Sequence, residues 1–168
     1  MFLKKLFGKK EESSNNFTLT SPATGKLVAI EDIPDPVFSQ KMMGDGLAVD
    51  PTEGIIVAPA DAEVLQVFPT KHAIGLKTSN NLEVLIHIGL ETVSMGGEGF
   101  EAFVKEGDTV KKGDKLISFD LDLIREKAKS TITPVIITNF DQVVEKMDKT
   151  TESSLTKGET TVMSVVVK

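Results

Sequence analysis

The chain contains no cysteine, no tryptophan and no tyrosine, and only two histidines among its 168 residues. Without cysteine there is no disulfide, no thiol nucleophile and no thiolate metal site. The aromatic content is nine phenylalanines, which supply apolar bulk rather than a platform for stacked bases. No apolar run approaches the roughly 20 residues of a membrane-spanning helix. Phosphate loops are missing as well. Gly44-Asp45-Gly46 is followed by Val49 where a dinucleotide fingerprint needs a third glycine, and Gly96-Gly97-Glu98-Gly99 lacks the Lys-Ser/Thr step of a nucleotide-binding loop. Both read as turns.

Charge is unevenly spread. The net charge is −6, and Lys4, Lys5, Lys9 and Lys10 place +4 in the first ten residues, leaving −10 on the remainder. An acidic body argues against a nucleic-acid partner. Phe2, Leu3, Leu6 and Phe7 recur at helical spacing beside those lysines. Residues 1–10 thus read as a weak contact for an anionic membrane surface, although a free helix that short is marginal. The expected organisation is a basic, flexible arm over residues 1–16 and one domain over 17–168. No secretory apolar segment follows the charges, so the expected location is the cytoplasm.

From Phe17 onward the texture is all-β. Short β-branched and apolar runs alternate with Gly, Pro, Asp and Asn about every eight to twelve residues. Two short helices interrupt them, expected over 122–129 and 141–147, the second with Asp141 as its N-cap. Ser21-Pro22-Ala23-Thr24-Gly25-Lys26-Leu27-Val28 resembles Ala58-Pro59-Ala60-Asp61-Ala62-Glu63-Val64-Leu65, and Gly107-Asp108 recurs as Gly113-Asp114. The pattern suits a compact β-sandwich or partly open barrel built by duplication.

The two histidines fall on one expected hairpin. His72 leads the run Ala73–Thr78, His87 nearly closes Glu83–Ile88, and Ser79-Asn80-Asn81 between them is turn chemistry. A two-residue loop at Ser79-Asn80 sets His72 directly opposite His87; a loop at Asn80-Asn81 makes them diagonal neighbours. Either register places both imidazoles on one face, about 5–8 Å apart at Cβ, whereas a slip of one residue separates them. Three roles fit such a pair: a shared metal, general acid and base, or a nucleophile with an orienting partner. Two ligands without a third make a weak metal site, so no metal and no cofactor is expected.

The residues around His87 resemble a known family. Glu83-Val84-Leu85-Ile86-His87-Ile88-Gly89-Leu90-Glu91-Thr92-Val93 with Gly97-Glu98-Gly99-Phe100, Pro69-Thr70-Lys71-His72-Ala73, residues 37–46 and Ile117-Ser118-Phe119-Asp120-Leu121 are similar to motifs of the glucose-type IIA proteins of the bacterial sugar phosphotransferase system. The resemblance runs from about Ser21 to the C-terminus. It implies a β-sandwich of duplicated hybrid topology and a phosphotransferase that forms a phosphohistidine. On that resemblance His87 is phosphorylated on Nε2 by the histidine phosphocarrier HPr and passes the group to a IIB domain of a sugar permease. His72 would donate a hydrogen bond to the phosphoryl oxygens and Thr70 would fix the hydrogen bonding. Phe38, Phe68, Met43 and Val93 would form an apolar rim, and Asp35 and Glu91 would meet a basic residue of the phosphocarrier. Glu91 departs from the aspartate frequent there.

Two rivals share this texture. A related fold carries zinc endopeptidases, but Leu76 and Gly89 stand where that ligand set needs Asp and His. A regulatory adaptor that binds proteins through the same face is the alternative, with loss of phosphorylation at His87 as its signature.

Overall fold

The structure is a computed structural model that describes residues 16–168. The expected arm over 1–16, apart from Asn16, lies outside the described residues. The first half of the fold contains β1 (Asn16–Thr20), β2 (Gly25–Ala29), β3 (Asp45–Pro51), β4 (Ile55–Val57), β5 (Ala62–Val67), β6 (Ala73–Thr78) and β7 (Glu83–His87). The second contains β8 (Phe100–Ala102), β9 (Thr109–Val110), β10 (Lys115–Phe119), β11 (Thr133–Ile137), β12 (Val144–Lys149), β13 (Ser154–Leu155) and β14 (Thr161–Val167). Three short α-helices join them: α1 (Pro36–Ser39), α2 (Leu121–Lys127) and α3 (Phe140–Val143). The all-β expectation holds.

An eight-stranded sheet, ordered β13-β2-β3-β11-β7-β6-β5-β9, faces two three-stranded sheets, β1-β14-β12 and β4-β10-β8. All three sheets are open, and their named pairings are antiparallel. Side chains alternate across a strand, and the burial follows that rule. Leu47, Val49, Ile74, Leu76, Val84, Ile86, Val135 and Ile137 belong to one large buried cluster with Leu19, Ile56, Leu116, Ile117, Met163 and Val165 of the smaller sheets. Each such Leu or Ile contributes about 1.5–3 kcal/mol by leaving water. The intervening positions Ala48 and Ile136 point to the other face. There they join Ile30, Ile33, Phe38 and Leu90 in a second, smaller cluster.

The residue just before each similar segment is hydrogen-bonded to the proline of the other. Thr20 N–H donates to Pro59 O at 3.0 Å, and Val57 N–H donates to Pro22 O at 2.9 Å. The Gly-Asp steps form a matched pair of latches. Gly107 N–H donates to Val64 O and Val64 N–H to Asp108 O; six residues before Val64, just after β4, Gly113 N–H donates to Ala58 O and Ala58 N–H to Asp114 O, all at 2.8 Å. Each turn is closed by its own carboxylate, with Asp108 accepting from Lys105 N–H and Asp114 from Lys111 N–H.

Two expected features differ. The helix expected over 141–147 is one turn, after which Val144–Lys149 is a strand paired with β14. Its charged, alternating sequence Val144-Glu145-Lys146-Met147 suits a solvated edge strand as well as a helix, and only pairing decides. Its N-cap is Asn139, not Asp141. The helix α1 was not expected at all, although Asp35-Pro36 is its sequence signal. Asp35 caps it by accepting from Val37 N–H at 3.0 Å, and Pro36 occupies the first turn.

Candidate functional site

The hairpin β6-β7 closes with three residues, not two. Asn81 adopts a left-handed φ of 68°, Asn81 N–H donates to Thr78 O, and Thr78 N–H donates to Leu82 O at 3.0 Å. A left-handed third residue is the usual way to complete such a loop. The register is therefore the one-residue slip that neither two-residue loop produces: Ala73 faces His87, Ile74 faces Ile86, and Ile88 N–H donates to the His72 carbonyl at 2.7 Å. Strict alternation would then part the imidazoles. They meet nonetheless, with ring centroids 4.9 Å apart and planes at 82°. His72 precedes the first residue of β6 and follows Lys71, whose φ is +60°. Its side chain therefore escapes the strand's alternation.

Each imidazole has one nitrogen tied to the protein. His87 Nδ1 lies 2.8 Å from the Gly89 carbonyl. A carbonyl can only accept, so Nδ1 carries the proton and Nε2 keeps its lone pair. His72 Nδ1 is hydrogen-bonded to the Thr70 hydroxyl, and His72 is 5 % exposed. Burial holds the His72 imidazole down from its ordinary 6.5 to about 4, and the neighbouring His87 adds in the same direction. Burial also lowers His87, opposed by the Gly89 carbonyl and by the Asp35 carboxylate. Both rings are thus neutral near pH 7. One offers a lone pair to an electrophile, and the other can offer an N–H beside it.

The flanks are aromatic. Phe38 lies 5.3 Å from the His87 ring and Phe68 lies 5.6 Å from the His72 ring, edge-on. Phe38 arrives from outside the sheet: a 3-10 turn at Ile30–Asp32 and α1 fold over its outer face. Beneath it, the pairing of β3 with β11 needs Gly46, where a Cβ would stand 2.0 Å from the Val135 carbonyl oxygen. An apolar depression of about 200 Å³ on the same outer face is lined by Met43, Phe68, Gly75 and Leu85 among others. The larger depression, about 440 Å³, runs between 41–45 and 138–142 and holds neither histidine. Met43 borders both.

The model of the phosphoenolpyruvate-dependent sugar phosphotransferase system, EIIA 1, matches residues 17–143. The chain belongs to this family. It is 59 % identical over 165 residues to the PTS system glucose-specific EIIA component of Bacillus cereus, covering 98 % of this chain and 99 % of that one. The component of the same name from Staphylococcus epidermidis is 54 % identical over 164 residues, covering 98 % of each. Among solved structures, the glucose permease IIA from Mycoplasma capricolum superposes with a TM-score of 0.79 at 35 % identity, covering 89 % of this chain and 95 % of that one.

Of the EIIA residues expected at the site, His72, His87, Thr70, Phe38 and Phe68 form one contact group. Met43 and Val93 are solvent-facing, at 39 % and 57 % exposure, and suit a rim rather than a core. Val93 rides a 3-10 turn, Thr92–Met95, whose cap Glu91 is exposed with φ +61°. Asp35 combines its capping bond with an electrostatic pull on His87. Sequence reasoning missed the Gly89 carbonyl, because a backbone acceptor has no side chain to read. A signal existed: a glycine two residues after a strand histidine supplies the left-handed φ, here +73°, that turns its carbonyl back.

Proposed function

We propose that this EIIA chain is a phosphocarrier: His87 Nε2 takes a phosphoryl group from the histidine phosphocarrier HPr and hands it to a IIB domain of a sugar permease. The observation that carries this reading is the free lone pair on Nε2, left by the Nδ1–H bond to Gly89 O. In the first step that lone pair attacks phosphorus in line as the P–N bond to the donor histidine breaks and its electron pair returns to the donor nitrogen. In the second, a nucleophile of the IIB domain attacks in line as the P–N bond to His87 breaks and its electron pair returns to Nε2. Nδ1 keeps its proton throughout. Positive charge that develops on the ring is stabilised by the Gly89 carbonyl and by Asp35, the groups that already favour a cationic His87.

His72 is the partner. With the Thr70 hydroxyl donating to its Nδ1, the His72 Nε2–H is available to the phosphoryl oxygens, a donor aimed where charge accumulates. Phe38, Phe68, Met43 and Val93 exclude water around the exchange, and Asp35 and Glu91 attract a basic residue of HPr. Sugar identity then belongs to the permease. We place the chain in the cytoplasm, with residues 1–10 making a salt-sensitive contact with anionic lipid.

The test is phosphoryl transfer from phosphoenolpyruvate through enzyme I and HPr. Wild type becomes labelled and His87→Ala does not. His72→Gln is labelled but passes the group on more slowly, by about 10²-fold or more. A wild-type chain that stays unlabelled by competent HPr would sink the carrier reading and leave the adaptor role in its place.

A further inference from the structure

The tautomer of His87 depends on where one carbonyl points, and two buried hydroxyls that touch neither imidazole hold the peptide just before it. Gly89 O accepts from His87 Nδ1, so the peptide on either side of Gly89 must stay in register with the ring. The peptide between Ile88 and Gly89 is gripped at both ends: the Thr92 hydroxyl donates to Ile88 O at 2.6 Å. Gly89 N–H donates to the Thr133 hydroxyl at 3.4 Å, and that hydroxyl donates onward to Thr131 O at 3.0 Å. Thr92 and Thr133 are both 0 % exposed. A hydroxyl of that burial is kept only when its hydrogen bonds are made.

The turn is pinned beyond them as well. Leu90 N–H donates to Ser130 O at 2.9 Å and Lys129 N–H donates to Leu90 O at 3.2 Å, while the Leu90 side chain is sunk in the outer cluster beside Phe38 and Ile136. Gly89 itself has no room to change. A Cβ there would stand 2.7 Å from the Thr92 methyl and 2.9 Å from Ser130 O. The Ser130 carbonyl thus holds the Gly89–Leu90 peptide by its N–H, and the two hydroxyls hold the Ile88–Gly89 peptide, so the direction of the Gly89 carbonyl is confined from both sides of the residue.

We propose that Thr92 and Thr133 are positioning residues that hold the Gly89 carbonyl on His87 Nδ1 and so determine which imidazole nitrogen is the nucleophile. The consequence for phosphoryl transfer rests on the carrier reading above; the consequence for the tautomer does not. Without that carbonyl the ring is free to carry its proton on Nε2, where the lone pair is then lost. The same carbonyl stabilises the charged ring, so its displacement also lowers the affinity of His87 for a proton.

The test uses the full chain with its histidines labelled with ¹⁵N. In wild type, the His87 ring signals are those of a single Nδ1–H tautomer. In Thr92→Val, and in Thr133→Val, they shift toward a mixture of tautomers and the His87 pKa falls further. The His72 tautomer, set by the Thr70 hydroxyl on its Nδ1, remains unchanged as an internal control. Phosphoryl uptake from phosphorylated HPr falls about tenfold in each, the scale of one lost hydrogen bond. Thr92→Ser and Thr133→Ser, which keep the hydroxyl, restore both readouts.

Three results overturn the proposal. One is folded Val variants with the wild-type tautomer. Another is Thr→Ser variants that lose it, which would assign the effect to the missing methyl and needs no Val variant to fold. The third is a parallel change of tautomer at His72, which would mark general loosening. If the tautomer responds as described while no variant, nor wild type, accepts phosphate, the positioning role stands and the carrier reading fails.

Discussion

An imidazole held below its ordinary pKa carries a pH dependence of stability. For His72 the unfolded chain titrates near 6.5 and the folded chain near about 4. Between those values the unfolded state binds more protons, so stability is complete above pH 6.5 and falls as pH drops toward 4. The shift corresponds to about 3 kcal/mol. Urea unfolding from pH 7 to 4 should therefore show an acid slope that His72→Gln flattens; an unchanged slope would mean that His72 is not the group responsible. Asp35 gives a second test at this scale. Its carboxylate raises His87 against burial, so Asp35→Asn should lower the His87 pKa in an NMR titration while leaving the Thr70–His72 pair as it was.

At the scale of elements, the segment from Ile30 to Gly44 matters more than its weak sequence signal suggests. It places Phe38, 5 % exposed, against His87 from the outer side of the sheet. Phe38→Ala should cost about 3–5 kcal/mol. It should also return the His87 pKa toward its ordinary value, since burial is the main cause of the depression; a titration that does not move would mean that other groups bury the ring. The Gly-Asp latches make a different kind of claim. Gly107 and Gly113 have φ near +90°, at 93° and 91°, yet neither has an atom within 4 Å of an added Cβ. Alanine at either site should thus cost only the backbone strain, about 1–2 kcal/mol. The two latches join different parts of one strand region, so the costs should add in the double variant, as measured by denaturant midpoints at constant m-value.

For the whole molecule, the order of strands predicts where the fold is firmest. β11 and β7 lie at the centre of the eight-stranded sheet, with β9 and β13 at its edges. Amides of Val135, Ile136 and Ile137 should exchange hydrogen only through global unfolding, and those of Thr109 and Val110 through local opening. The site hangs on this firm part: His87 ends β7, Thr133 begins β11, and Phe38 packs on Ile136. Central amides that exchange as fast as the edge would contradict this account. Rigidity of that kind suits the proposed phosphoryl transfer, in which the reacting atoms must line up.

Much of this was legible in the chain itself. Alternating apolar residues and regular turn signals determined an all-β fold, because burial on one face forces a period of two. Two histidines at the ends of one hairpin, in a chain without cysteine, pointed to that hairpin as the candidate site. The motif around His87 named the family. The tertiary structure decided the rest, and for a physical reason in each case. Which of three loop closures the Asn-rich turn adopts is a difference of small energies, so the register was settled by packing of Ile74, Leu76, Val84 and Ile86 into the core. The strand Val144–Lys149 was settled by a partner 14 or more residues away in sequence. The peptide that leads into Gly89 is held by hydroxyls at 92 and 133, one of them 44 residues distant. Local sequence fixes what a segment can form; contacts between distant segments choose among those forms.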